Sequence, residues 1–111
     1  MSIDVQIQDE HGGVLTQYEG PALGLPFLKL APVQSSCFRF IVPWGDTTFN
    51  EEQIKVLLAE LRDATSQSRD EMRLRELRAL IQFIEGAVGV HVYVKFIGDR
   101  TVGHTRPESA A

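Results

Sequence analysis

The chain has 111 residues, 43% of them hydrophobic and 23% charged, with a formal net charge of −4. That balance describes one globular domain with a modest core and excludes an intrinsically disordered chain. A single cysteine, Cys37, excludes an internal disulfide framework and a cysteine-based zinc site, and no run approaches the roughly 18 apolar residues of a membrane-spanning helix. The N-terminus MSIDVQIQDE lacks the basic and apolar regions of a signal peptide, so a reducing, cytoplasmic setting is expected, with no membrane association.

The charge is uneven: residues 1–60 carry three basic and eight acidic side chains, residues 61–111 eight and seven. The five arginines from Arg62 to Arg78 alternate with Asp63, Asp70, Glu71 and Glu76. Glu71 and Arg75 stand at the i,i+4 spacing of a charge-paired helix surface. A nucleic-acid binder shows a basic excess on one face, and none is present, so no nucleic-acid partner is expected.

The first element is a half-buried strand, with Ile3, Val5 and Ile7 alternating against Asp4, Gln6 and Gln8. Asp9 to Gly13 supplies turn residues, and Val14 to Tyr18 returns as the second arm of a hairpin. From Gly20 to Pro32 the residues Leu23, Leu25, Phe27, Leu28 and Leu30 are apolar, but Pro21, Gly24, Pro26 and Pro32 argue against a regular helix or a central strand. This stretch reads as an extended or edge segment on the core, or in part as an apolar patch for a partner.

Cys37 to Ile41 reads as a strand, with Phe38 and Phe40 on one side and Cys37, Arg39 and Ile41 on the other. Pro43, Gly45 and Asp46 make a turn, and Thr47 to Phe49 form a short extended piece. Asn50 then opens a helix: Gln53 completes a capping box, Phe49 and Ile54 have the spacing of a hydrophobic staple, and Ile54, Leu57, Leu58 and Leu61 form the apolar stripe. The polar run Thr65 to Ser68 ends it. Ser68 with Glu71 repeats the capping pattern for a second helix whose face is Leu74, Leu77, Leu80, Ile81 and Ile84, with Gly86 or Gly89 as its stop. The short link makes the two helices an antiparallel pair. Val90 to Ile97 alternates as the last strand, with Val90, Val92, Val94 and Phe96 against His91, Tyr93, Lys95 and Ile97.

Residues 1–98 thus read as a single α+β domain and 99–111 as a polar tail. The expected architecture is a two-layer sandwich, with a mainly antiparallel sheet of about four or five strands and the helix pair on one face. The other face is left to water, to a ligand or to a second subunit. Arg39, His91, Tyr93 and Lys95 are expected on that open face, where they would form a cationic and aromatic surface for a carboxylate, a phosphate or an acidic protein. Trp44, the only tryptophan, stands in the Pro43 to Thr48 turn as a candidate anchor, and Phe27 as a candidate in the proline-rich segment.

Catalytic patterns are weak. A Cys37–His91 pair oriented by Asp46 or Asp99 lacks a nucleophile turn or a helix N-terminus at the cysteine. His11, His91 and His104 are dispersed, Glu51 and Glu52 fit the first turn of a helix, and Gly12-Gly13 lacks the other phosphate-loop residues. No catalytic residue, metal ligand or cofactor is assigned.

Through LGLPFLKLAP, CFRFIVPWGDTTFN and VYVKFIGD the chain resembles small stand-alone bacterial proteins of uncharacterised function, over most of residues 3–99. In size, charge and architecture it also resembles immunity proteins, which bind and block a toxin. An acidic domain without catalytic signatures, with an open sheet face and a proline-rich apolar segment, leads to the expectation of a non-enzymatic, intracellular protein-interaction module with a protein partner. A homodimer is the expected oligomer, because an open sheet has edges able to pair across a two-fold axis. The alternative reading is a small-molecule-binding protein or minor enzyme whose pocket is lined by Arg39, His91 and Tyr93.

Overall fold

The alternating start of the chain forms strand β1, Asp4–Gln8, with Val5 and Ile7 buried. The computed structural model describes residues 2–98, so the expected tail from residue 99 lies outside the described residues. β1 pairs antiparallel with β2, Val14–Gln17, through a register irregularity at Ile7/Gln8. In their turn the Asp9 carboxylate accepts hydrogen bonds from the N–H groups of His11 (2.9 Å) and Gly13 (2.8 Å). Gly12 takes φ +83° there, a backbone state open to glycine at no steric cost.

Past β2 the Ile3 N–H donates to the Leu23 carbonyl at 2.9 Å, which carries Leu23 into the core. The proline-rich stretch then makes one helical turn, α1, Leu25–Leu28. Pro26 sits in that first turn, where an absent N–H costs no hydrogen bond, so the prolines shorten the helix without forbidding it.

The expected strand at Cys37–Ile41 is corrected: Phe38–Phe40 is a single 3-10 turn. Its backbone donors go elsewhere. The N–H groups of Ser36, Cys37 and Phe38 all donate to the Glu60 carboxylate, and the Arg39 N–H donates to Ser35 Oγ at 3.0 Å. With those donors committed the segment has no ladder to offer, and burial follows the turn. Cys37, Phe38 and Ile41 are inside, while Phe40, expected beside Phe38, is 50% exposed.

The third strand is instead β3, Asp46–Phe49, immediately followed by helix α2, Glu51–Gln67. The capping box is formed in both directions: Asn50 Oδ1 accepts from the Gln53 N–H, and Gln53 Oε1 accepts from the Asn50 N–H, each at 2.9 Å. Helix α3, Glu71–Glu85, is capped by Asp70 and not by Ser68. Asp70 accepts from the Met72 and Arg73 N–H groups, while Ser68 closes α2 with its N–H on the Ala64 carbonyl. An anionic cap at the positive helix end outcompetes a hydroxyl two residues upstream.

The last strand starts later than its alternation suggests. Gly89 (φ +119°) and His91 (φ +62°) bend the α3–β4 link, leaving Val90 70% exposed, and β4 runs Tyr93–Ile97. It enters between β1 and β3, giving the sheet order β2-β1-β4-β3, with every neighbour antiparallel. Val5, Ile7, Phe49, Val94 and Phe96 on one sheet face share a core with Leu57 and Leu61 of α2 and Leu77, Leu80 and Ile84 of α3.

Two substitutions separate local from tertiary control. Asn50→Ala should lower the unfolding free energy by about 1 kcal/mol, the usual value of an N-cap. Gly98→Ala should cost more, because its Cβ would lie 2.6 Å from the Gly45 nitrogen and 2.8 Å from the Pro43 carbonyl oxygen. Urea unfolding of the two variants checks the ranking.

Candidate functional site

The face of the sheet away from the helices is polar, and its register sets its rows. Gln17, Gln6, Lys95 and Thr48 stand side by side across all four strands. Tyr93 stands beside Gln8 in the next row. Gln6 Nε2 donates to Gln17 Oε1 at 3.0 Å, and Gln8 Nε2 donates to Gln6 Oε1 at 2.8 Å. Lys95 Nζ lies 3.6 Å from Asp46 Oδ2. The Gln6–Gln17 and Lys95–Asp46 pairs cross between strands and Gln8–Gln6 runs along β1, each worth a fraction of a kcal/mol at this exposure.

Of the residues singled out in the sequence, Tyr93 and Lys95 share this face. Arg39 does not reach it. Its place on the 3-10 turn puts its guanidinium carbon 4.4 Å from the centre of the Phe40 ring, and its Nε donates to the Ser35 carbonyl at 2.7 Å. Trp44 follows in the turn and is 62% exposed. Arg39, Phe40 and Trp44 therefore belong to one corner of the molecule. That corner is tied to β3 by the hydrogen bond from Thr47 Oγ1 to the Phe40 carbonyl (3.0 Å). Asp46, two residues past Trp44, joins it to the Lys95 side of the open face.

His91 lies in the α3–β4 link at the other end of the strand. Thr47, bonded to Phe40, is level with Phe96, five residues beyond His91, which is about 16 Å of extended chain. The His91 N–H donates to Glu51 Oε1 (3.3 Å), and its Nδ1 is 3.5 Å from Glu10 Oε1. Arg39, His91 and Tyr93 thus do not converge on a cavity. Phe27 is 1% exposed and packs on Phe38 with ring centres 5.5 Å apart, so it is a core residue and presents nothing to a partner. Two open depressions lie elsewhere. One of about 430 Å³ runs along Lys55, Val56, Ala59, Glu60 and Asp63 of α2, and one of about 380 Å³ lies between Lys29–Gln34 and the end of α2.

Cys37 is buried, with its Sγ 3.6 Å from the Gln53 carbonyl oxygen. Burial, and then the nearby Glu60 charge, push its thiol upward, which is the opposite of what a thiolate nucleophile needs. Among the described residues no group of three or more His, Cys, Asp or Glu side chains is placed to hold a metal ion, and no helix is long and apolar enough to cross a membrane.

Two acidic residues that are not candidates in the sequence hold organised polar contacts: Glu60, and Glu76, expected on the solvated charge-paired helix surface but buried. Glu60 on α2 accepts the Ser36 N–H on Oε2 (2.5 Å), and the Cys37 and Phe38 N–H groups on Oε1 (3.0 and 2.9 Å). Burial alone would raise its carboxyl, but these bonds and the Arg39 charge outweigh that and hold it below the usual range. Glu76 is buried in α3, one position from Leu77 on the apolar stripe. Its Oε2 accepts from Arg73 Nη2 at 3.2 Å, and its Oε1 lies 2.9 Å from Arg73 Nε, outside hydrogen-bond angle. Burial raises its carboxyl; Arg73 opposes the rise and Asp70 adds to it. Tyr18, hydrogen-bonded to the Pro21 carbonyl at 2.8 Å and edge-on to Phe83, is pushed up to about 12 by burial and then by the Glu76 charge. The signal for Glu76 was its phase in the apolar stripe of α3. Glu60 had no comparable signal, because its partners are backbone groups of a segment that reads as a strand.

No protein-family model, no curated protein and no solved structure matches the chain.

The two carboxylates should act on stability with opposite signs. The folded protein binds the Glu60 proton less tightly than the unfolded chain does, so its contribution is present above the ordinary carboxyl pKa and is lost as pH falls through the lowered value. The folded protein binds the Glu76 proton more tightly, so its contribution is full below the ordinary value and declines as pH rises through the raised one. Urea midpoints followed from about pH 3 to about pH 8 should show Glu60→Gln flattening the acid limb and Glu76→Gln flattening the decline toward neutrality.

Proposed function

We propose that the protein is a non-enzymatic partner-binding module of the immunity or regulatory type. It acts in the bacterial cytoplasm and takes a protein partner on the Arg39–Phe40–Trp44 corner and the adjoining Tyr93/Lys95 face. The observation that carries this reading is the exposure of two large aromatic side chains, Phe40 at 50% and Trp44 at 62%, beside a guanidinium stacked on one of them. Among the aromatic side chains, Phe27, Phe38 and Phe96 are by contrast fully enclosed. Tryptophan and arginine dominate interface hot spots, because each offers a large contact area with a polar handle. The Lys95–Asp46 pair has the character of a hydrated rim beside such an anchor.

The homodimer belongs to the same proposal and would use the β2 edge. All four residues of β2 are exposed, Val14 and Leu15 among them, and nothing pairs with its outer side among the described residues.

Capture of the partner from the host lysate, followed by titration of variants, tests the reading. Trp44→Ala should weaken binding by about 30-fold or more, the scale of a hot spot, and Tyr93→Ala by less. Unchanged affinity in a folded Trp44→Ala, Arg39→Ala double variant would remove the corner as the site. For the dimer, Leu15→Lys should shift the sedimentation of the free protein to that of a monomer.

A further inference from the structure

The segment between Pro32 and Pro43 is built unlike the rest of the chain. Its backbone takes part in no strand ladder and no long helix, and its own backbone hydrogen bonds are local: Ser35 to Pro32, Phe40 to Cys37 and Ile41 to Phe38. Ser35 Oγ and the Arg39 Nε likewise bond within the segment. Among the described residues its hydrogen bonds to the rest of the molecule are the three to the Glu60 carboxylate, the Cys37 thiol on Gln53 and Thr47 on the Phe40 carbonyl. Most of the polar attachment is therefore one side chain. The apolar attachment is Cys37, Phe38 and Ile41, while Val33, Arg39 and Phe40 face water.

We infer that residues 33–42 form a strap latched to α2 by Glu60, which opens as a unit without unfolding the sheet and the helix pair. The latch depends on two acceptor oxygens meeting three donors. A glutamine in its place keeps one oxygen and turns an NH₂ group toward at least one backbone N–H, so a donor faces a donor and a charge-assisted bond is lost. Arg39 from the strap and Asp63 from the next turn of α2 are the charged neighbours of the carboxylate, and neither substitutes for its acceptors. An open strap uncovers Phe38 and Ile41 next to the already exposed Phe40 and Trp44. The apolar surface at this corner then has a small closed form and a larger open form. The opening is independent of whether that corner binds a partner.

Cys37 reports the opening, because it is the only thiol and is enclosed when the strap is closed. Its alkylation by iodoacetamide is followed by intact mass at several sub-denaturing urea concentrations, alongside amide exchange of the core strands. In the unaltered protein the opening free energy from alkylation should fall with urea on a slope well below that of global unfolding. In Glu60→Gln the alkylation rate at constant pH should rise at least tenfold, with core amide exchange changed by less than about threefold. Asp63→Asn, which removes a neighbouring charge but no backbone bond, should leave the rate within twofold. A slope in the unaltered protein equal to the global one would overturn the strap, and that result does not depend on any variant folding. An unchanged rate in Glu60→Gln, or an equal rise in Asp63→Asn, would overturn the latch.

Discussion

The pairing of the first strand with the last is the constraint on which the sheet depends. β1 meets β4 over five residue pairs, from Asp4 opposite Ile97 to Gln8 opposite Tyr93, and β3 joins the sheet only through β4. The β1–β2 hairpin is local, yet two strands with one apolar face are marginal alone. The sheet becomes continuous only when the chain has passed through both helices and returned between its own first and third strands. This makes the fold dependent on contacts of large sequence separation, which close late and cooperatively. Register follows from the same pairing: with Val5 and Ile7 inward on β1, Val94 and Phe96 must face inward on β4, and a slip of one residue would turn both sets out.

That closure explains which parts of the architecture could be read from the chain. The hairpin, the two amphipathic helices, the Asn50 capping box and the inward alternation of Val94 and Phe96 are signals within a few residues of one another, and the structure contains them. The segment Cys37–Ile41 has the same alternating pattern as β4 and invites the same strand reading. What decides against a strand there is Glu60, more than twenty residues away, which takes the backbone donors that a ladder would need. Periodicity reports which side chains prefer to be buried. It does not report where the N–H groups go.

The candidate site was legible to the extent that it depended on alternation. Tyr93 and Lys95 face away from the helices because Val94 and Phe96 face toward them. His91 followed the same pattern but falls before the strand, at a positive φ that takes it out of the pleat. Arg39 belongs on the face only if Cys37–Ile41 is a strand, and the 3-10 turn there takes it away. Phe27 was ambiguous in the sequence, since an apolar residue in a proline-rich segment fits a core or a patch equally well; the helical turn set by Pro26 and the Leu23–Ile3 bridge direct it inward against Phe38. The turn that carries Trp44 is signalled locally by Pro43, Gly45 and Asp46, although the Gly98 N–H, more than fifty residues on, also holds it through the Gly45 carbonyl.

Glu60 and Glu76 show how one residue type does opposite work in two settings. Both lose water, and for both that loss is the largest influence on the carboxyl. Glu60 recovers it from three backbone donors and the Arg39 charge, so it stays ionised and anchors a loop. Glu76 has one arginine in imperfect geometry with Asp70 opposing it, so burial keeps its carboxyl raised. A buried carboxylate is stabilising in proportion to the donors aimed at it, and backbone N–H groups at successive residues supply donors that cannot rotate away. Glu60 holds the 33–42 segment in place, while Glu76 pairs within α3. That segment carries Arg39 and Phe40 and leads into Trp44, so the same carboxylate that fixes the backbone also sets how much aromatic surface the corner presents.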